Sequence, residues 1–185
     1  MEKLILGLVG EMASGKSTIT TYLKEKHGAV TFRFSDMLRD CLTRMHLEHT
    51  RENLQTLSTI LRQNFSEDIM SKVLALDVKN SSAPLIIAEG IRRPSDIVYL
   101  KAIPGFHLVS LQVDEKTRYE RIIKRSENPD DQKKTWETFQ KEGLAESEQK
   151  IKEVMADATN KIDNNGNIEE LYQQVDRLMA KYTVW

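Results

Sequence analysis

Five short apolar runs punctuate this chain, and segments of helical periodicity lie between them. Leu4 to Val9 is continuously apolar, which predicts a buried strand. Val30-Thr31-Phe32-Arg33-Phe34 alternates and predicts an outer strand. Leu85-Ile86-Ile87-Ala88 is continuous again and predicts a central parallel strand. Leu108 to Val113 and the weak Lys161-Ile162-Asp163 complete the set. Between them, Thr18 to Lys26 is helix-forming, and Leu54, Leu57, Leu61 and Phe65 share one helix face. Ile69, Val73 and Leu74 repeat the spacing behind Ser66, a candidate cap. Asp114 is placed to cap a helix carrying Tyr119, Ile122 and Ile123, and Leu144, Ile151, Val154, Met155 and Ala158 line another. The clearest helix carries Ile168, Leu171, Tyr172, Val175, Leu178, Met179 and Tyr182, with Asn167 and Glu170 spaced as a capping box. Strands alternating with helices predict an α/β fold: a five-stranded parallel, doubly wound sheet with flanking helices, binding its ligands at the C-terminal ends of the strands.

Composition narrows the class of function. The 185 residues suffice for a single domain spanning 1–185. With 27 basic and 28 acidic residues the net charge is -1, so no nucleic acid and no membrane surface is expected as a partner. The lone Cys41 excludes an internal disulfide and is expected to be a buried thiol. The N-terminal apolar run is too short for a membrane span, and a cytoplasmic protein is expected. His46 and His49 stand without further ligand candidates and read as a solvated helix end. The tail from Tyr182 to Trp185 is apolar enough to dock on its own domain or on a second subunit, leaving a monomer or a homodimer open.

Directly after the first strand stands Gly10-Glu11-Met12-Ala13-Ser14-Gly15-Lys16-Ser17, a complete G-x-x-x-x-G-K-[ST] phosphate-binding loop, and Thr18 continues into helix. The glycines let the backbone curl so that its N–H groups point inward at phosphate oxygens. The helix N-terminus adds partial positive charge. Lys16 is the point charge for the β and γ phosphates, and the Ser17 hydroxyl is placed for Mg²⁺. ATP and Mg²⁺ are the expected cofactors.

Phosphoryl transfer also needs a place for the acceptor and cations around the transferred group. Ser35-Asp36-Met37-Leu38-Arg39 follows the second strand, and Arg39 is a candidate grip for an acceptor phosphate. Glu89-Gly90-Ile91-Arg92-Arg93-Pro94 follows the third; Glu89 is placed to reach the waters of Mg²⁺, and paired arginines there call for anions. Arg118, Arg121 and Arg125 precede ten residues without an aliphatic side chain, Arg125 to Lys134, which read as a lid over phosphates. Trp136 is expected to pack the helical part of that lid.

These segments together resemble the nucleoside monophosphate kinase group of P-loop kinases, and the resemblance spans nearly the whole chain. Ser35-Asp36-Met37-Leu38-Arg39 is similar to the S-x-G-D-x-L-R segment of adenylate kinases, whose arginine holds the monophosphate. Glu89-Gly90-Ile91-Arg92-Arg93 resembles their D-G-F-P-R, and Glu120-Arg121-Ile122-Ile123-Lys124-Arg125 their lid-opening E-R-x-x-x-R. Leu54-Gln55 through Leu61-Arg62 looks, more loosely, like the acceptor-site helix of deoxynucleoside monophosphate kinases. Asn164-Asn165-Gly166 lies in a segment similar to the end of dephospho-CoA kinases, where the loop borders the adenine of ATP. The resemblance implies a P-loop NTPase fold with a helical acceptor-binding insert at about 36–80 and a helical lid at about 118–146. It implies Ser35, Asp36, Arg39, Gln55, Arg62 and Arg92 around the acceptor, and Lys16, Arg92, Arg93, Arg121 and Arg125 around the transferred phosphoryl group. The sequence departs from the pattern in three places. Glu89 stands where the group has Asp. The glycine before Asp36 is absent. Lys133, Lys134 and Lys141 occupy the region of the second lid arginine pair.

The reading is therefore an ATP- and Mg²⁺-dependent kinase acting on a nucleoside or deoxynucleoside monophosphate. Two alternatives stand beside it. A dephospho-CoA kinase or other hydroxyl kinase would need a base, for which Asp36 is the obvious carboxylate. A guanine-nucleotide switch is suggested by Asn160-Lys161-Ile162-Asp163, which matches N-K-x-D, although Asp163-Asn164-Asn165-Gly166 then overlaps it in the wrong order. A binding module that kept the fold without turnover is a further form of this second class.

Overall fold

The computed structural model describes residues 3–124, 131–144 and 146–182. Five parallel strands lie in the order β2-β3-β1-β4-β5: β1 Leu4–Val9, β2 Val30–Arg33, β3 Leu85–Glu89, β4 Phe106–Gln112 and β5 Asn160–Asp163. The helices are α1 Lys16–His27, α2 Asp36–Arg44, α3 Arg51–Asn64, α4 Ile69–Asn80, α5 Glu115–Lys124, α6 Trp136–Gly143, α7 Glu146–Ala156 and α8 Ile168–Tyr182.

Strand periodicity divides the core in two. Leu4, Leu6, Leu8, Leu85, Ile87, Val109, Leu111 and Ile162 face one side and pack with Ile19 and Leu23 of α1 and Leu171, Val175 and Met179 of α8. Ile5, Val9, Ile86, Ala88 and Leu108 face the other and pack with Leu38 of α2, Leu74 and Val78 of α4, and Ile151 and Val154 of α7. Each such side chain contributes about 1.5–3 kcal/mol of transfer free energy when fully buried. Both faces being covered, β1 and β3 are buried almost throughout, which is why they read as unbroken apolar runs. The doubly wound α/β architecture of the P-loop NTPase fold is thus in place. Its switch point falls where β1 sits between β3 and β4, so the loop at Gly10 opens at the C-terminal edge of the sheet.

Local chemistry explains the details. Asn167 and Glu170 form the expected capping box: the Glu170 N–H donates to Asn167 Oδ1 at 2.9 Å and the Asn167 N–H to Glu170 Oε2 at 3.3 Å. Trp136 packs against Tyr119 and Phe139, joining α6 to α5. Tyr182 stacks on His107 with ring centroids 3.7 Å apart, so the end of α8 docks on its own domain; residues 183–185 of the apolar tail lie outside the described residues.

Several expectations need correction. β4 begins two residues earlier than Leu108 and ends at Gln112, and β2 ends at Arg33. Phe65 is not on the buried face of α3; the helix stops at Asn64 and Phe65 turns to solvent. Leu144 likewise lies past the end of α6 and is exposed. Asp68, not Ser66, occupies the cap position of α4. Cys41 is half-buried. Among the described residues no helix is long and apolar enough to cross a membrane.

Candidate functional site

The phosphate loop is held by its own backbone and by a distant segment. Ala13 and Gly15 both take positive φ, 60° and 96°, which curls the loop. A side chain at Gly15 would meet Asn164 Nδ2 at 2.3 Å, so glycine is required here by both conformation and space. Asn164 is buried and donates from Nδ2 to the Ser14 carbonyl at 2.9 Å, and its N–H bonds Gln112 at 2.9 Å. Asn165 Oδ1 accepts from the Asp114 N–H at 2.8 Å, tying the same segment to the start of α5. A side chain at Gly166 would strike Glu170 and disturb the capping box. Asn164 therefore borders the phosphate loop directly, although it lies 150 positions after Ser14 in the chain, while Asn165 and Gly166 meet Asp114 and Glu170 instead.

Lys16 Nζ donates to the carbonyls of Gly10 at 2.6 Å and Glu11 at 2.9 Å, and to Ser14 Oγ at 3.3 Å. Burial pushes its ammonium down to about 8, and the nearby Arg92 and Arg118 guanidinium groups act in the same direction, while Glu148 and Glu11 oppose them. Met12, Ala13 and Thr18 are partly covered, and Ser17 stands exposed at the mouth of the loop. Glu11 accepts from Arg118 at 3.1 Å and lies 3.7 Å from Lys152. Arg118 is almost fully buried beneath Phe139, its guanidinium 5.4 Å from the ring centre. Sequence reasoning had grouped Arg118 with the lid arginines; it serves the phosphate loop through Glu11. Arg121 donates to the Asn164 carbonyl at 2.7 Å and so also lies beside the loop. Arg125 lies outside the described residues.

A cavity of about 1180 Å³ opens from Lys16 and Ser17 and runs between the C-terminal ends of β2 and β3 and helix α3. Ser35, Arg39, Gln55, Arg62, Glu89, Arg92 and Arg93 all line it. Asp36 does not: its carboxylate turns back and accepts from the Arg33 N–H at 2.8 Å, bracing the turn between β2 and α2.

The charges of the cavity are partly paired with each other. Glu89 Oε1 accepts from Thr20 and Oε2 from Arg33, each at 2.5 Å, and Arg33 and Glu89 are register partners across β2 and β3. Asp96, buried in the wall of the cavity, accepts the N–H groups of both Arg92 and Arg93 on Oδ2, at 2.9 and 3.0 Å, and Arg62 on Oδ1 at 3.3 Å. Arg62 also bonds Glu67, and Arg93 meets Glu67 at 2.5 Å. Arg62 and Arg93 thus hold helix α3 and the turn after β3 together rather than standing unpaired. Arg39 and Arg92 have no carboxylate partner among the described residues. Asp96 carried no motif, and only its helix-capping position behind Pro94 could have pointed to it.

For Mg²⁺, the donor set is one hydroxyl, Ser17, and one carboxylate, Glu89, at the head of the cavity. That suits an ion that arrives with phosphate oxygens and keeps most of its water. No cluster of three acidic, histidine or cysteine side chains suited to a dedicated metal cage is present among the described residues. His49 bonds Thr43 Oγ1 at 2.8 Å. The N-K-x-D match is strand β5 itself, with Asn160 buried and its amide oxygen accepting from Tyr182 and Lys181, so it is not available to read a base.

A protein-family model described as AAA domain matches residues 6–151. A relative named UPF0200 protein from Hyperthermus butylicus is 25% identical over 98% of this chain and 96% of its own length. Another of that name from Thermococcus gammatolerans is 28% identical, over 96% of this chain and 95% of its length. Among solved structures, shikimate kinase from Bacteroides thetaiotaomicron superposes with a TM-score of 0.66 at 13% identity, over 98% of this chain and 99% of that one. The likeness is one of fold: a kinase-like P-loop domain.

Proposed function

Because the chain belongs to the AAA domain family, with a kinase-like P-loop fold, we propose that it is an ATP- and Mg²⁺-dependent kinase that phosphorylates a nucleoside or deoxynucleoside monophosphate. One observation carries the reading: a single cavity joins Lys16 and Ser17 to Arg39 and Arg92, while Asp36, the carboxylate a hydroxyl kinase would use as base, is turned away from it.

The chemistry follows from charge. A monophosphate oxygen is already anionic near neutral pH and needs no base to attack. The barrier is the mutual repulsion of two polyanions, and fixed cations lower it. Lys16 exchanges its loop carbonyls for the more strongly accepting β- and γ-phosphate oxygens. Arg92 lines the same cavity as Lys16 and bridges donor and acceptor in this reading. Arg39 holds the acceptor phosphate from the α2 side. Arg62, Arg93 and Asp96 act one layer behind, fixing the turn that carries Arg92. Asn164, Asn165, Gly166 and Arg121 shape the nucleoside end of the donor site. Ser17 and Glu89 would hold Mg²⁺, which when bound neutralises the phosphate charge.

The test is a panel of nucleoside and deoxynucleoside monophosphates, with dephospho-CoA included, supplied with ATP and Mg²⁺ and read by ADP release. Stimulation by one or more monophosphates is expected. Stimulation by dephospho-CoA alone, or by nothing on the panel, refutes the proposal.

A further inference from the structure

Arg33 is the last residue of β2 and lines the same cavity as Arg39 and Arg92. Strands β2 and β3 pair it with Glu89 at their C-terminal ends, the edge at which a parallel sheet presents its ligand sites. Its backbone is fixed, because its N–H donates to Asp36 Oδ2 at 2.8 Å in the turn that leads to α2. Its side chain is held at one point, Nε donating to Glu89 Oε2 at 2.5 Å. Glu89 is itself anchored from behind, where Oε1 accepts from the buried Thr20 of α1 at 2.5 Å.

The pair is one-sided. A guanidinium carries five N–H donors in a planar fork, and Glu89 takes only the one on Nε. The two terminal nitrogens of Arg33 make no hydrogen bond among the described residues. In Arg62, by contrast, both terminal nitrogens are engaged, one by Glu67 and the other by Asp96, and Arg93 spends one on Glu67. The Arg33 side chain is 54% exposed and that of Glu89 16%. A pair so open to water adds little stability as a strut. What it does is aim the guanidinium: Nε is bound to a fixed carboxylate, and the terminal fork that suits two oxygens of one phosphate stays unspent.

We propose that Arg33 is a further binding residue for the acceptor phosphate, aimed by Glu89 and acting together with Arg39 and Arg92. The inference rests on the phosphoryl-transfer reading above and adds a residue to its acceptor site.

Equilibrium binding by calorimetry tests it. The ligands, measured separately, are the tightest-binding monophosphate of the panel and a non-hydrolysable ATP analogue with Mg²⁺. In Arg33→Gln the monophosphate is expected to bind at least tenfold more weakly, while the affinity for the analogue changes less than twofold. Arg33→Lys, which keeps the charge without the fork, should recover part of the loss. The double variant Arg33→Gln, Glu89→Gln leaves no unpaired carboxylate in the cavity, and the loss of monophosphate affinity should persist in it. Monophosphate affinity within twofold of the unaltered protein in Arg33→Gln overturns the inference and leaves the kinase reading intact. A loss that disappears in the double variant also overturns it, because the bared Glu89 charge would then be its cause. Equal weakening of both ligands overturns it as well, since Arg33 would then act on the donor side through Glu89. Circular dichroism verifies the fold of each variant, and if Arg33→Gln does not fold, full monophosphate affinity in Arg33→Lys overturns the inference. An unaltered protein that binds the analogue but no monophosphate refutes the kinase reading and this inference with it.

Discussion

Asn164 and Ser14 are 150 positions apart and joined by one hydrogen bond, 2.9 Å from the buried amide nitrogen to the loop carbonyl. Removing it in Asn164→Ala leaves that carbonyl without its partner. The expected cost is about 1–3 kcal/mol in urea denaturation, with weaker binding of an ATP analogue. Unchanged affinity would show that the phosphate loop keeps its shape unaided.

Gly15→Ala meets the same contact from the other side. A methyl group at φ 96° directed at Asn164 Nδ2 combines backbone strain with a clash. A loss of roughly 1–3 kcal/mol is expected, together with most of the nucleotide affinity. A variant as stable as the parent in thermal unfolding would contradict this packing.

Asp96→Ala should be the most damaging single change away from the phosphate loop. It removes the acceptor of two backbone N–H groups and the partner of the largely buried Arg62. Breaking a buried pair from one side costs about 3–5 kcal/mol. Glu67 still compensates Arg62, so the low end is expected. Asp96→Asn, which retains an acceptor oxygen, should fall between the two. Its turnover should suffer more than its affinity for ATP, because the Arg92 turn loosens.

Lys16 gives a pH signature. Its folded value of about 8 lies below the ordinary 10.5. The unfolded chain therefore holds more protons between these values, so this group's contribution to stability rises as pH climbs from 8 toward 10.5. The difference between the parent and Lys16→Met should show that rise, by ~1–2 kcal/mol after allowance for solvent screening. A bound triphosphate restores the charge, so binding near pH 8.5 should take up protons. Calorimetry in buffers of different ionisation enthalpy measures the uptake, which Lys16→Met should abolish along with turnover. Equal proton uptake in the variant would assign it to another group.

Asp36→Asn separates the acceptor classes. With Asp36 bracing the Arg33 N–H, the variant should lose less than tenfold in kcat and change mainly in KM. A thousandfold collapse of kcat would make Asp36 a base and reinstate a hydroxyl acceptor.

Local signals carried much of this molecule. The phosphate loop, the five strands and the capping box of Asn167 and Glu170 each depend on residues close together in the chain, and a single sequence displays them. The pairing of charges did not show in the same way. Arg62 reads as an acceptor ligand and does line the cavity, but its bond to Asp96, 34 positions on, is visible only in the fold. Glu89 meets Arg33 because β2 and β3 are in register, a relation no local pattern encodes. Phe65 kept the spacing of Leu54, Leu57 and Leu61, but periodicity does not mark the turn at which a helix ends. Arg118 was visible as a cation, and only its depth beneath Phe139 assigns it to Glu11.

The dependence of the phosphate loop on Asn164 bears on biogenesis. The loop leaves the ribosome well before the end of β5, which supplies its floor and lies 150 positions further along the chain. Until then β4 is an unprotected sheet edge and the Ser14 carbonyl lacks its cover. Nucleotide affinity should therefore emerge late and abruptly during synthesis, and nascent chains arrested short of Asn164 are the species on which chaperones would be expected to act.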